Sequence, residues 1–521
     1  MKKTMEYIFT PCYDYGGKWT FHKSLWVKGY AFLPTGELLK GNEFAEYLNQ
    51  IIKPGETSKL NELNGRFVAT GKKESSPFIF TDRTRSFPLF YKHQTREIHI
   101  SDNPLELIDE KSKVDERALQ EFLASGYTWQ ERTLFENIKQ CEPAHLTFFY
   151  HKETEKQKYF SFSTPGIKGI SYNEAFQQLS KILDNIMQRA LRVLGDDPVV
   201  VPLTSGYDSR FLATWFKKNN ANLYGAFTSG KKNSPEFENA EKVATKLNIP
   251  WSPVYLDDEN MVNQFPDKET IRKYIDFTFA SSSMGFFQDV IALSNLKLPA
   301  NTIIAGGHSG DFTAGSHLWP FQKVMNKTLN LYYSFQRMYP FFNASSTEKT
   351  RLKQTLKNKY NLCHKDIPFS IFQEIDFSER QSKFLVNSCL GYDFFTKGTI
   401  LPFFDNEFVD FFKELPFQYR YNKRLYNHVL TEKYFTPYGL NFKKEHQDRP
   451  NDLFLQLLKQ SAPSLIRDMY SRRHHIPDHL NYLKFLEHLS GRSITLKKTS
   501  KFPNQYVIDW YIQNQLYTRI Y

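Results

Sequence analysis

The residues best placed to do chemistry lie in one turn. Val199-Val200-Val201 runs into Pro202-Leu203-Thr204-Ser205-Gly206-Tyr207-Asp208-Ser209. The β-branched run predicts a buried parallel strand, and the apolar spacing of Phe211, Leu212 and Trp215 predicts a helix beginning near Asp208. A strand, a tight Ser/Gly turn and a helix start form an anion cradle, because backbone N–H groups at the turn and helix N-terminus favour negative charge. The hydroxyls of Thr204, Ser205 and Ser209 add donors. Asp208 puts a carboxylate in the same cradle, which makes sense beside phosphates only if a cation joins them. An ordinary βα turn is the alternative. No Gly-Lys-Ser/Thr follows, so this is not a Walker loop, and no Gly-x-Ser-x-Gly frame makes it a nucleophile elbow.

The elements that must position this turn fall into two groups. Residues 1–160 carry short β patterns broken by turns: Arg66–Thr70, Phe78–Thr81, Leu89–Tyr91 and Ile98–Ile100. Residues 163–169, with Pro165 and Gly166, read as a linker. A capping box, Ser171-x-x-Glu174, then opens a long helix whose Phe176, Leu179, Leu183, Ile186, Ala190 and Leu191 share one face. From 199 to 310, strands at 199–203, 223–227, 252–256 and 301–305 alternate with helical patterns, which is the signature of a parallel α/β sheet. Residues 320–521 read mostly helical, without repeats. The expected fold class is α/β plus α+β: a β-rich sandwich over residues 1–165, then a parallel-sheet α/β domain over 170–521 with a helical C-terminal part.

Composition narrows the function classes. The chain of 521 residues is long enough for two domains with full cores, and 16% aromatic residues supply ample apolar area. No run of 18 apolar residues predicts a transmembrane segment, and no apolar stretch near Met1 predicts a signal peptide. Cys12, Cys141, Cys363 and Cys389 are widely spaced and form no zinc pattern, which fits a reduced, cytoplasmic protein. The net charge of +12 is spread over scattered basic doublets with no nucleic-acid-binding motif, so no nucleic-acid partner is expected. A homodimer is compatible with this composition.

The turn resembles the pyrophosphate-binding loop (PP-loop) of the ATP pyrophosphatases, Ser-Gly-Gly-x-Asp-Ser. Thr204-Ser205-Gly206-Tyr207-Asp208-Ser209 aligns with it without a gap. Phe227-Thr228-Ser229-Gly230, followed by Ser234-Pro235-Glu236 and an Ala-bearing helix, extends the resemblance to the asparagine synthetase family. The first half is similar to that family's glutaminase-type domain, an Ntn-hydrolase-like sandwich. Leu63-Asn64-Gly65-Arg66-Phe67 matches Leu-Asn-Gly-x-Phe, and Thr133-Leu134-Phe135 matches Thr-Leu-Phe. Asp82-Arg83-Thr84-Arg85-Ser86-Phe87-Pro88-Leu89-Phe90-Tyr91 matches Asp-Arg-x-Gly-x-x-Pro-Leu-Tyr-Tyr, with Arg85 in place of the glycine. Leu401-Pro402-Phe403-Phe404-Asp405 matches Val-Pro-Phe-Leu-Asp.

The resemblance implies that Leu203, Thr204, Ser205, Gly206, Asp208, Ser209, Phe227 and Gly307 hold ATP, and that Asp208 and Asp311 share Mg²⁺. It implies Lys444, or Lys443 one residue away, as the cation that steadies pyrophosphate. His308 replaces a family glutamate, and Gly307-His308-x-Gly310-Asp311 is similar to the lasso-peptide cyclases. His308 is therefore a second candidate catalytic residue, placed over the reacting acyl group. Gly398-Thr399-Ile400 stands where the family has Glu-Ala-Arg, and Asp405 is expected to cap or pin a loop.

A glutaminase of this type needs an N-terminal cysteine whose α-amino group is the base. Lys2 stands at the second position and Cys12 inside the chain, so the first domain is expected not to hydrolyse glutamine. The implied reaction is ATP-dependent adenylation of a small-molecule or peptide carboxylate, then amide formation with ammonia or an amine. The family default is asparagine biosynthesis. Macrolactam cyclisation of a peptide, amidation of a sugar acid, and a non-catalytic binding protein on the same frame are the alternatives.

Overall fold

The computed structural model describes residues 5–151, 153–163, 169–257, 264–318, 368–442, 480–494 and 503–516, with a few isolated positions between them. Among the described residues, the strands form three separate sheets. The first 160 residues contribute β1 (Glu6–Thr10), β2 (Thr20–His22), β3 (Leu25–Phe32), β4 (Leu38–Lys40), β5 (Asn64–Lys73), β6 (Ser76–Thr81), β7 (Phe90–His93), β8 (Glu97–Ser101), β9 (Lys139–Gln140), β10 (His145–Phe149) and β11 (Thr154–Lys158). They form a four-stranded sheet, β1-β8-β7-β9, and a seven-stranded sheet, β11-β10-β6-β5-β3-β2, with β4 paired to β3.

The period of two sorts the side chains of the larger sheet. Val68 and Ile79 point into an apolar layer shared with Leu89, Ile98 and Ile100 of the smaller sheet. Phe67, Ala69, Phe78 and Phe80 point the other way, onto Phe44 and Leu48 of helix α1 (Gly41–Ile51). Both faces are buried, so β5 and β6 read as nearly unbroken apolar runs.

Residues 164–168, the core of the expected linker and the boundary between the expected domains, lie outside the described residues. After them, α2 (Tyr172–Leu194) begins at Ser171, whose side chain and that of Glu174 make both bonds of the capping box. The third sheet is wholly parallel: β12 (Val199–Pro202), β13 (Leu223–Gly230), β14 (Trp251–Tyr255), β15 (Ile303–Ala305) and β16 (Gly398–Ile400), in the order β14-β13-β12-β15-β16. Val199 and Val201 enter one core and Val200 the other, which is why this strand is β-branched throughout. β16 is a short strand within the stretch after residue 320 that reads mostly helical from sequence. Helices α3 (Tyr207–Lys218), α4 (Pro235–Leu247), α5 (Lys268–Phe279) and α6 (Phe287–Asn295) flank the sheet.

The strand order reverses between β12 and β15. In an open parallel sheet, such a switch point leaves a crevice outside the carboxyl ends of the two strands, where successive connections leave toward opposite faces. The loops after β12 and β15 carry the two aspartates singled out from sequence.

Candidate functional site

The turn after β12 is built by its own side chains. The Leu203 N–H donates to the Phe227 carbonyl (2.7 Å), and Thr228 Oγ1 donates to the Leu203 carbonyl (2.7 Å). Leu203 and Phe227 are themselves buried, so what they do here is hold the turn against β13. Ser209 Oγ accepts the Thr204 N–H and meets Thr204 Oγ1, both at 3.1 Å, and Thr204 Oγ1 accepts the Gly206 N–H at 3.1 Å. Thr204 and Gly206 are exposed at the tip. Arg210, fully buried, donates to the Ser205 carbonyl (2.6 Å) and the Leu440 carbonyl (3.0 Å), and its guanidinium lies 4.7 Å from the Phe442 ring.

The turn after β15 closes on it. Asp311 opens the short helix α7 (Gly310–Ala314), and its N–H donates to Asp208 Oδ2 at 2.9 Å. Two glycines permit this approach. A Cβ at Gly310 would sit 2.7 Å from Asp208 Oδ2 and 2.9 Å from the Phe403 ring, and one at Gly307 would sit 3.0 Å from the Ser209 nitrogen. Gly307 therefore acts here through its lack of a side chain.

Asp208 is pushed up to about 7. Burial is the largest cause and the neighbouring Asp311 charge the second, while the Asp311 N–H, Tyr426 Oη and Lys423 pull the other way. Tyr426 Oη donates to Asp208 Oδ1 at 2.9 Å. A carboxyl in such surroundings keeps its proton to a higher pH than an exposed one. Among the described residues no group of three or more His, Cys, Asp and Glu side chains is placed to hold a metal. Two carboxylates without a third protein ligand suit Mg²⁺, which usually keeps waters and takes substrate phosphates alongside one or two carboxylates.

His308 is half-buried beside the Tyr392 ring (5.9 Å between centroids), and its Nδ1 has no hydrogen-bond partner. Burial lowers it to about 4, so the imidazole is neutral at pH 7. Lys443 and Lys444 lie outside the described residues. Tyr426 and Lys423 are the site residues that sequence reasoning missed. They belong to an unremarkable apolar-polar stretch, and only the fold brings them to a carboxylate more than 200 residues earlier.

Several motif residues of the first half hold the two halves together. Arg66 pairs with Asp393 (3.0 Å) and donates to the Thr399 carbonyl. Asn64 Nδ2 donates to Asp405 Oδ2 (2.9 Å) and Asn64 Oδ1 accepts the Asn406 N–H (3.0 Å). Asp405 caps the helix α8 (Asn406–Glu414) and takes two bonds from Arg189, at 2.6 and 2.8 Å. Arg85, which stands where the resembling motif has glycine, adopts φ +58°, the left-handed conformation that favours glycine. Cys12 is exposed, its N–H donates to Asp102 (2.7 Å), and its thiol is pushed up to about 11 by partial burial and nearby carboxylates. Cys141 and Cys389 are buried and also pushed up, mainly by burial. Cys363 lies outside the described residues.

No helix among the described residues is long and apolar enough to cross a membrane. No curated protein matches the chain. A solved structure, glutamine phosphoribosylpyrophosphate (PRPP) amidotransferase from B. subtilis complexed with ADP and GMP, aligns at 12% identity and a TM-score of 0.17, over 57% of this chain and 58% of that one. Residues 36–160 match the family model of a glutamine amidotransferase domain, so this stretch, which carries the Leu-Asn-Gly and Asp-Arg motifs, is similar to amidotransferases.

Proposed function

We propose that the chain is an ATP-dependent, AMP-forming carbon–nitrogen ligase of asparagine synthetase type. It adenylates a carboxylate and passes the acyl group to ammonia or an amine. The observation that carries this reading is the meeting of Asp208 and Asp311 at the switch point of the parallel sheet, at the mouth of a Ser/Thr/Gly turn that opens a helix. The turn 203–209 is the phosphate cradle, and the α3 N-terminus favours the anion. Asp208 and Asp311 would hold Mg²⁺, which supplies charge neutralisation at the phosphates. The chain reaches Phe442 against Arg210, two residues before Lys444, which supports Lys444 or Lys443 as the cation over the leaving pyrophosphate. His308, neutral at pH 7, is the group to take a proton from the attacking amine. The match at residues 36–160 adds an amidotransferase-type domain, and the raised Cys12 thiol supports a domain that does not hydrolyse glutamine.

The test is Mg²⁺-dependent ATP–pyrophosphate exchange across a panel of carboxylic acids. Asp208→Asn should lose roughly 10²–10³-fold, as groups that stabilise developing charge commonly do. His308→Ala should spare exchange and lower amide formation, while Lys444→Ala should damage both. Absence of exchange with every acid, together with absence of Mg·ATP binding, would overturn the reading. Steady release of glutamate from glutamine would overturn its glutaminase-deficient part.

A further inference from the structure

Asp311 owes its position to a turn that has a cost. Ser309, two residues earlier, sits at φ +64°, a left-handed backbone that non-glycine residues avoid. Its hydroxyl donates to Gln381 Oε1 at 2.6 Å, Gln381 Nε2 donates to Asp376 Oδ1 at 3.0 Å, and His317 Nδ1 pairs with Asp376 Oδ2 at 2.6 Å. Ser309 and His317 flank α7, so Asp376 and Gln381 hold both ends of the segment that carries Asp311. All four are buried, with Gln381 and Asp376 at 0% exposure.

The spacing explains why this works. Asp376 and Gln381 are five residues apart in a π-helical stretch, Asp376–Val386. Five residues in an α-helix overshoot a turn by more than a third, which would carry the second side chain around the helix. The wider π turn stacks i over i+5, and the Ser382 hydroxyl bonding the Phe377 carbonyl (2.8 Å) repeats that register. An α-helical version of the same sequence would aim Gln381 elsewhere.

We propose that the Asp376–Gln381 step of the π-helical stretch is a brace that holds Ser309 in its left-handed conformation, and thereby sets Asp311 against Asp208. This rests on the reading of that carboxylate pair as the working site, and it makes Ser309, Gln381, Asp376 and His317 positioning residues.

Two substitutions at one position separate the brace from bulk packing. Ser309→Ala loses the hydroxyl and keeps the backbone cost. Ser309→Gly also loses the hydroxyl, but adopts the left-handed backbone freely. Amide hydrogen exchange over 306–317 in the full chain reads the Asp311 N–H···Asp208 bond directly, whatever the enzyme does. Protection there should fall about tenfold in Ser309→Ala and Gln381→Ala, and return toward wild type in Ser309→Gly. Wild-type protection in Ser309→Ala, or equal loss in the alanine and glycine variants, overturns the proposal. ATP–pyrophosphate exchange on the same proteins reports the proposed reaction separately. A wild-type protein without exchange removes that reaction, and the amide measurement still decides the brace.

Discussion

Asp208 and Asp289 are both carboxyls pushed up to about 7, and their surroundings assign them different work. Asp208 is addressed by Tyr426 Oη and the Asp311 N–H and faces a second carboxylate, the pairing on which the proposed Mg²⁺ site rests. Tyr426→Phe removes one of those donors. The apparent affinity for Mg·ATP should weaken about tenfold, since a hydrogen bond to a charged group is worth ~1.5–3 kcal/mol. Unchanged Mg²⁺ dependence in that variant would detach Tyr426 from the site. Asp289 is 6% exposed on α6. Burial alone raises it, and the hydroxyls of Tyr274, Tyr392 and Tyr482 stand within its electrostatic reach. Its folded value lies above the unfolded 3.8, so its stabilising effect is full below about pH 4 and is lost as pH rises through about 7. Asp289→Asn mimics the neutral acid. It should raise the denaturant midpoint at pH 8, with a gain in unfolding free energy of at most about 4 kcal/mol, and flatten the stability profile between pH 4 and 7. A lower midpoint at pH 8 would mean that the ionised carboxylate has work to do.

At the scale of elements, what could be read in advance was local and what could not was made by pairing. The Ser171 capping box and the Val199–Val201 strand are legible because their signals lie within a few residues of where they act. Ser171→Ala should lower stability by ~1 kcal/mol, read as a drop in the unfolding midpoint with unchanged exchange activity. Gly398-Thr399-Ile400 gives no strand signal at three residues, and becomes β16 only because β15 lies parallel beside it. The Asp376–Val386 stretch has an ordinary amphipathic composition, and nothing in it announces a π turn. Arg85 shows the same limit from the other side. The motif comparison marks a missing glycine, but only the φ of +58° says why glycine belongs there. The sequence of the turn at 306–311 suggests candidate site residues but gives no sign of how tightly the two loops pack. Gly310→Ala would push its Cβ to 2.7 Å from Asp208 Oδ2, so that variant should lose exchange activity while keeping its secondary structure. Full activity in Gly310→Ala would mean that the two loops have room to part.

At the scale of the whole molecule, the two halves share more than a linker. One apolar cluster runs from Phe122, Tyr127 and Trp129 of the first half to Val200, Phe227 and Ile275 of the second. Backbone bonds tie 126–134 to 281–284, with the Met284 N–H on the Gly126 carbonyl (2.7 Å) and the Leu134 N–H on the Ser281 carbonyl (2.8 Å). The Gln130 N–H donates to Glu379 Oε2 (3.0 Å), and Lys383 donates to the Gln130 carbonyl (2.6 Å). The amidotransferase-like stretch, fixed in this way, contributes to the fold of the parallel-sheet part. Arg66–Asp393 is the sharpest case, because the Asp393 side chain is 0% and the Arg66 side chain 7% exposed. Removing one member of a buried pair leaves an uncompensated charge and costs ~3–5 kcal/mol, while replacing both with apolar groups of similar volume is often near neutral. Arg66→Ala should therefore lower the unfolding temperature in calorimetry and separate the transitions of the two halves. Arg66→Met with Asp393→Leu should recover most of the loss and restore a single transition. A double variant as unstable as Arg66→Ala would mean that the seam depends on the bond from Arg66 to the Thr399 carbonyl at β16, not on the charge pair.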